Sequence, residues 1–167
     1  MIFYHYTTRA ALAQIQREGL TRGEAPYNDI RVATAVNLTT DPEPTGHGLD
    51  SGGRVVTQEQ SSLWATKGFR VPAGTVLVNK REARIKLKLS SSDLKLKKWR
   101  SWSRKNCDPG YPERLERGGG ATSKKAKTWW LYFGVIPPEA FLGIDILEPD
   151  ASTETHFEEI VLTNTYV

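Results

Sequence analysis

A chain of 167 residues, 38% hydrophobic, 10% aromatic and 25% charged, has enough apolar surface for one sizeable core, which excludes a wholly disordered or fibrous protein and leaves no room for two full domains. No run approaches the roughly 20 apolar residues of a membrane span, and the opening residues show neither a basic segment nor a cleavage site, so no membrane partner is expected. The formal charge of +4 is unevenly spread: residues 80–127 hold 16 Lys and Arg against 5 Asp and Glu, a net of +11, while the remainder holds 7 against 14, a net of −7.

Residues 2–6 are apolar and aromatic and read as a strand; Thr7 or Thr8 then caps a helix whose Ala11, Leu12 and Ile15 share one face and which Gly19 ends. A polar loop is expected over 21–34, around Gly23, Pro26 and Asn28, followed by a short strand over 35–40 that stops at Asp41-Pro42. Residues 41–54 are rich in Pro and Gly and read as a surface loop of the kind that borders sites. Residues 71–78 and 83–89 read as strands, the second alternating Ile85, Leu87 and Leu89 with Arg84, Lys86 and Lys88. A turn or cap at Ser90-Ser91-Ser92-Asp93 leads into the basic stretch, expected to be loop and short helix, with Trp99 and Trp102 interleaved among the cations. Residues 129–133 read as a buried strand, Pro137-Pro138 as a turn, and 142–147 and 157–162 as the last strands. Many strands and few short helices make an α+β domain, with 80–127 as a basic, insertion-like segment.

Several common chemistries are missing from the pattern: there is no phosphate loop, no His-Glu-x-x-His and no Gly-x-Ser-x-Gly, and the only histidines are His5, His47 and His156, so no metal site is expected. The single cysteine, Cys107, can form neither an internal disulfide nor a multi-thiolate zinc site, which points to a reducing, cytoplasmic setting. What remains is polar groups at strand ends. His5 and Thr7 share a strand face, Thr39 and Thr40 close the second strand, and Glu158 and Glu159 sit in an apolar final strand, where a carboxylate is costly unless paired or used.

Phe3-Tyr4-His5-Tyr6-Thr7-Thr8, with a helix ending Glu18-Gly19-Leu20, resembles the opening of histidine-containing ADP-ribosyltransferases, a group that includes DNA-targeting toxins and RNA 2′-phosphotransferases. Val36-Asn37-Leu38-Thr39-Thr40 is similar to their second motif strand, and Glu159-Ile160-Val161-Leu162 to the closing strand that bears the catalytic glutamate. The resemblance covers the two ends of the chain. It implies split, curved, mainly antiparallel β-sheets with a few short helices, and a cleft that holds NAD as substrate. It further implies that His5 bonds the adenosine ribose, that Tyr6, Thr7, Thr39 and Thr40 help to hold the dinucleotide, and that Glu159, or its neighbour Glu158, is catalytic. A fixed carboxylate stabilises the oxocarbenium-like centre that forms when the nicotinamide bond breaks. Where such families place an aromatic residue to stack on nicotinamide this chain has Asn37, leaving Tyr27, Trp64 or Tyr6 for that task.

Each of these residues also has a plainer reading: His5 as a satisfied core histidine, Thr39 and Thr40 as turn-forming hydroxyls, Glu158 and Glu159 as one exposed and one paired carboxylate. A charge run is usually a solvated face, yet Lys97, Lys98, Arg100 and Arg104, with Trp99 and Trp102 between them, form a pattern suited to contact with nucleic acid. The leading expectation is an ADP-ribosyltransferase-like enzyme that modifies a macromolecule, as a toxin, a phage effector or a housekeeping enzyme. The alternative is a non-catalytic nucleic-acid-binding or inhibitory module built on the basic segment. Transfer of an RNA 2′-phosphate to NAD is a third.

Overall fold

The computed structural model describes residues 1–66, 71–118 and 123–147; the strand expected at 157–162, with Glu158 and Glu159, lies outside the described residues. Strand β1 (Ile2–Thr7) is central, and a 3-10 turn (Arg9–Ala11), closed by the Thr8 hydroxyl accepting from the Ala11 N–H, leads into helix α1 (Leu12–Glu18). Gly19 ends α1 as expected. A short hairpin, β2 (Glu24–Pro26) and β3 (Val32–Thr34), occupies the span read as a polar loop; three-residue strands carry too little alternation to stand out in a sequence. Next come β4 (Val36–Thr39) and helix α2 (Gln58–Thr66).

Residues 71–78 do not form the strand their apolar run suggested. Pro72 has no N–H and Gly74 turns the chain at φ +86°, so only a loose ribbon forms, with Leu77 N–H on the Arg54 carbonyl and Val56 N–H on that of Thr75. Strand β5 (Ala83–Lys88) alternates as expected. The basic stretch then supplies β6 (Leu96–Lys98) and helices α3 (Trp99–Asn106), α4 (Tyr111–Gly118) and α5 (Ser123–Ala126). The basic segment 80–127 thus contributes two strands, β5 and β6, to the main sheet. Strands β7 (Trp129–Tyr132) and β8 (Phe141–Ile146) complete the described chain.

The fold is α+β, with a six-stranded sheet in the order β6-β7-β4-β1-β5-β8, antiparallel at every pairing. One face buries Phe3, Val36, Leu38, Ile85, Leu87 and Tyr132 against Leu12 and Ile15 of α1 and the Ile136 segment. On the other face Trp99, Trp102 and Leu115 from α3 and α4 pack with Ala25, Ala35 and Leu131, and this second core overlies the β7–β4 half of the sheet. Among the described residues no helix is long and apolar enough to cross a membrane.

Candidate functional site

Strand β1 is paired unequally on its two sides. Against β5 the ladder runs from Ile2↔Lys88 to Thr7↔Ala83, whereas against β4 the register is held at Tyr4↔Thr39 alone. Beyond that point a side chain takes over from the backbone, His5 Nδ1 lying 2.9 Å from the Asn37 carbonyl oxygen. A carbonyl can only accept, so Nδ1 carries the proton. Burial pushes the His5 pKa below its ordinary value, the Asn37 carbonyl opposing the shift and the Lys80 ammonium adding to it, which keeps the ring neutral at neutral pH. Nε2 is thus an acceptor with no hydrogen-bond partner among the described residues.

Thr7 shares the His5 face and is buried. Lys80, three residues before β5, is half-buried, and burial lowers its pKa while Glu24 counters the shift. Asn37 gives its side-chain N–H to the Glu24 carbonyl, which ties β2 to the same end of the gap. The end of β1 beyond its register pair with β4 therefore carries a neutral imidazole acceptor and a hydroxyl on one strand face, with the charge of the partly desolvated Lys80 felt at the imidazole. That set suits a ligand rich in hydroxyls and carrying negative charge.

Tyr6 and Thr39 fall on the opposite face of the sheet and are engaged there. The Tyr6 hydroxyl donates to the Asp41 carbonyl, 3.1 Å away, and burial raises its pKa. Thr128 donates its hydroxyl to the Lys125 carbonyl, so Thr39 donates to Thr128 Oγ1 at 2.7 Å and accepts from the Asp41 N–H at 3.0 Å. Thr40 N–H pairs with the Thr128 carbonyl. The structure brings His5 and Thr7 together and places Tyr6 and Thr39 across the sheet from them. Of the aromatic residues named as stacking candidates, Trp64 is buried in α2, and Tyr27 packs on Trp102 beneath the Arg31 guanidinium.

Beside Tyr6 and Thr39 lies a residue the sequence did not single out. His47 is 7% exposed, between the rings of Tyr6 and Trp129, and accepts the Trp129 indole N–H on Nδ1 at 2.8 Å. Its proton is then on Nε2, which is buried and makes no well-formed hydrogen bond among the described residues, the Glu43 carbonyl being its nearest electrostatic complement. Burial first, then the Lys125 charge, push its pKa down to about 4, against the pull of Asp41 and the Glu43 carbonyl. Asp41 is held in turn by Lys125 at 2.7 Å, so the 41–50 loop is fastened to the sheet through His47, Tyr6, Lys125 and the two Arg81 bonds to the Leu49 carbonyl. No local pattern flags His47, because its partners come from distant segments.

The sign of the pH effect follows. A histidine whose folded pKa lies below its unfolded value favours the unfolded state when protonated, so its stability contribution is full above about 6.5 and is lost as pH falls toward 4. The loss is of order 3 kcal/mol. His5 acts in the same sense. We expect His47→Gln, which keeps an acceptor for Trp129, to flatten the fall in urea midpoint between pH 7 and pH 4.5; a slope identical to wild type would exclude this role.

In the basic segment the structure separates residues that the sequence grouped. Trp99 is enclosed in the second core and gives its indole N–H to Glu116 at 3.0 Å, while Arg100 forms an ion pair with the same carboxylate at 2.8 Å. Trp102 packs among Tyr27, Trp99 and Phe133. Lys97, Lys98 and Arg104 are exposed. Burial and the carboxylates of Asp108 and Glu113 push the Cys107 thiol up to about 11, and the thiol donates to the Pro26 carbonyl, so this cysteine is a packing residue. Compared with known proteins, the chain matches no family, no curated protein and no solved structure.

Proposed function

We propose that the domain belongs to the ADP-ribosyltransferase class, using the gap between β1 and β4 as its dinucleotide cleft. In this reading it cleaves NAD and passes ADP-ribose to a macromolecular acceptor. The observation that carries the proposal is the His5 imidazole, whose Nδ1 meets the Asn37 carbonyl next to the single β1–β4 register pair and whose Nε2 has no hydrogen-bond partner among the described residues. A ribose hydroxyl donates to such an atom, and Lys80 supplies positive charge for a diphosphate. The antiparallel sheet, held at one register pair between its two central strands, also suits the split sheet that the sequence resemblance implies.

The chemistry asks for one more group. When the bond from the ribose C1 to nicotinamide breaks, the electron pair leaves with nicotinamide and the ribose becomes oxocarbenium-like. A carboxylate held beside it stabilises that charge, and a nucleophile on the acceptor, or water, then bonds to C1 and loses its proton. Glu159 is assigned this task from the sequence pattern, with Glu158 as its neighbour. The test is nicotinamide release from NAD, alone and with cell extract. Glu159→Gln is expected to slow release roughly 10²-fold or more, and His5→Ala to weaken NAD binding, with tryptophan fluorescence confirming that both variants fold. Release by wild type that neither substitution changes, or no release under any condition, would overturn the reading.

A further inference from the structure

The register of the main sheet leaves part of one face uncovered. Ile2 pairs with Lys88, Tyr4 with Lys86 and Tyr6 with Arg84, and on the other side of β5 Lys86 pairs with Gly143 and Arg84 with Asp145. Paired residues of neighbouring strands point to the same side, so these side chains share one face, opposite the first core that Phe3, Ile85 and Leu87 enter. The second core covers the β7–β4 half of this face, and the 41–50 loop closes over Tyr6. Beyond them Ile2, Lys86, Lys88 and Gly143 are exposed, and a Cβ added at Gly143 would meet nothing within 4 Å. Arg84, its guanidinium 5.4 Å from the Tyr4 ring centre, is held by Asp145 at 2.8 Å. Lys86 and Lys88 form no ion pair among the described residues, although they stand about 7 Å apart on one strand face, where like charges disfavour each other.

We infer that this face is the docking surface for the acidic segment that follows β8, residues 148–154 of the same chain. Charge is the first argument. Residues 148–167 carry Glu148, Asp150, Glu154, Glu158 and Glu159 and no Lys or Arg, whereas residues 1–147 hold 23 Lys and Arg against 14 Asp and Glu. Position is the second: Leu147 gives its N–H to the Glu82 carbonyl, so the chain leaves β8 beside the start of β5, at the border of the uncovered face. Ile146 pairs with Ala83, which puts Lys86 and Lys88 about 10 and 17 Å further along β5, and seven extended residues span up to about 24 Å. Asp145 on Arg84 already sets the pattern, a carboxylate from the β8 side on a cation of β5. An exposed ion pair is weak by itself, but so short a tether makes the encounter intramolecular, at an effective concentration in the millimolar range. Docked there, Glu148, Asp150 and Glu154 offset Lys86 and Lys88 and shield Ile2 and Tyr4 from water, and Glu158 and Glu159 are left to the role proposed above. The inference stands whether or not the β1–β4 gap takes NAD.

The experiment treats the whole chain, as an equal mixture of isotopically light and heavy protein at low salt, with a carbodiimide that joins an amine to a carboxylate in direct contact with it. Mass spectrometry then reads which residues are joined. Amides from Lys86 or Lys88 to Glu148, Asp150 or Glu154 are expected within single chains, about tenfold more often than amides from the same carboxylates to Lys97, Lys98 or Lys105, which are also exposed. High salt, about 1 M, shortens the screening length to roughly 3 Å and is expected to abolish the preference. The variant Glu148→Gln/Asp150→Asn/Glu154→Gln is expected to raise the acetylation rate of Lys86 and Lys88 by about twofold or more and to leave that of Lys97 and Lys98 unchanged. Carboxylates joined evenly to all exposed lysines, or acetylation rates unmoved by the variant, would overturn the inference. So would amides formed mainly between light and heavy chains, which would make a second copy the occupant.

Discussion

Trp99→Ala is expected to lower the folding free energy by about 3–5 kcal/mol, the range for deleting a large buried aromatic side chain. The indole is 3% exposed and packs against Trp102, Trp129, Ala25, Ala35 and Leu131, so its removal empties the middle of the second core. It also takes one donor from Glu116, which is then left to Arg100. Trp99→Phe retains most of the apolar volume and isolates the lost hydrogen bond, for which about 1–2 kcal/mol is expected. Urea denaturation of both variants checks the pair. A loss below about 1 kcal/mol for Trp99→Ala would mean that the ring is not enclosed in the second core.

Gly19→Ala is expected to be comparably damaging for a different reason. Gly19 ends α1 at φ 81° and ψ −172°, a conformation that L side chains rarely adopt and that costs about 1–3 kcal/mol when forced. A Cβ at this position would lie 2.3 Å from the Ile136 carbonyl oxygen, which is backbone and cannot swing aside. That carbonyl accepts the Leu20 N–H at 2.9 Å, and Ile136 returns its own N–H to Leu20 at 3.0 Å, so the clash falls on the bridge that clamps α1 to the first core. The total should exceed about 3 kcal/mol and lower the melting temperature by roughly 10 °C. Gly74→Ala is the control. Gly74 shares a positive φ of 86°, but an added Cβ there meets nothing within 4 Å, so about 1 kcal/mol is expected. Equal effects from the two substitutions would show that backbone strain alone, without the clash, sets the cost.

The two expectations involve different levels of legibility. Gly19 was readable as a helix end from its place after Leu12 and Ile15, whereas its contact with Ile136 required the fold. Trp99 stood out in the sequence for its cationic neighbours, and those neighbours suggested a surface. Its actual partners are Glu116, Trp102 and Trp129, which include residues well separated along the chain.

Elements with a sustained period were evident from the amino-acid sequence: β1, α1, β4, β5, β7 and β8 all lie where alternation or helical spacing predicted them. Short or polar elements were not. The β2–β3 hairpin has three residues per strand, β6 reads Leu96-Lys97-Lys98, and α2 buries only Trp64 within a mostly polar run, so none shows a face that a period could reveal. The apolar run over 71–78 misled because Pro72 and Gly74 outweigh β-propensity.

For the candidate site, the sequence by itself determined that His5 and Thr7 share one strand face and that 80–127 is strongly basic, since both follow from the order of residues along the chain. The tertiary structure alone decided that β1 and β4 are held at one register pair, that Thr39 is bound up with Thr128, and that His47 pins the 41–50 loop. It also decided which cations meet a carboxylate among the described residues. Arg84 finds Asp145 at 61 positions' separation and Arg114 finds Asp29 at 85, while Lys97, Lys98, Arg104 and Lys105 form no such pair among the described residues. Periodicity records which way a side chain faces on its own element; what it meets there depends on how distant elements are brought together by burial of the two cores.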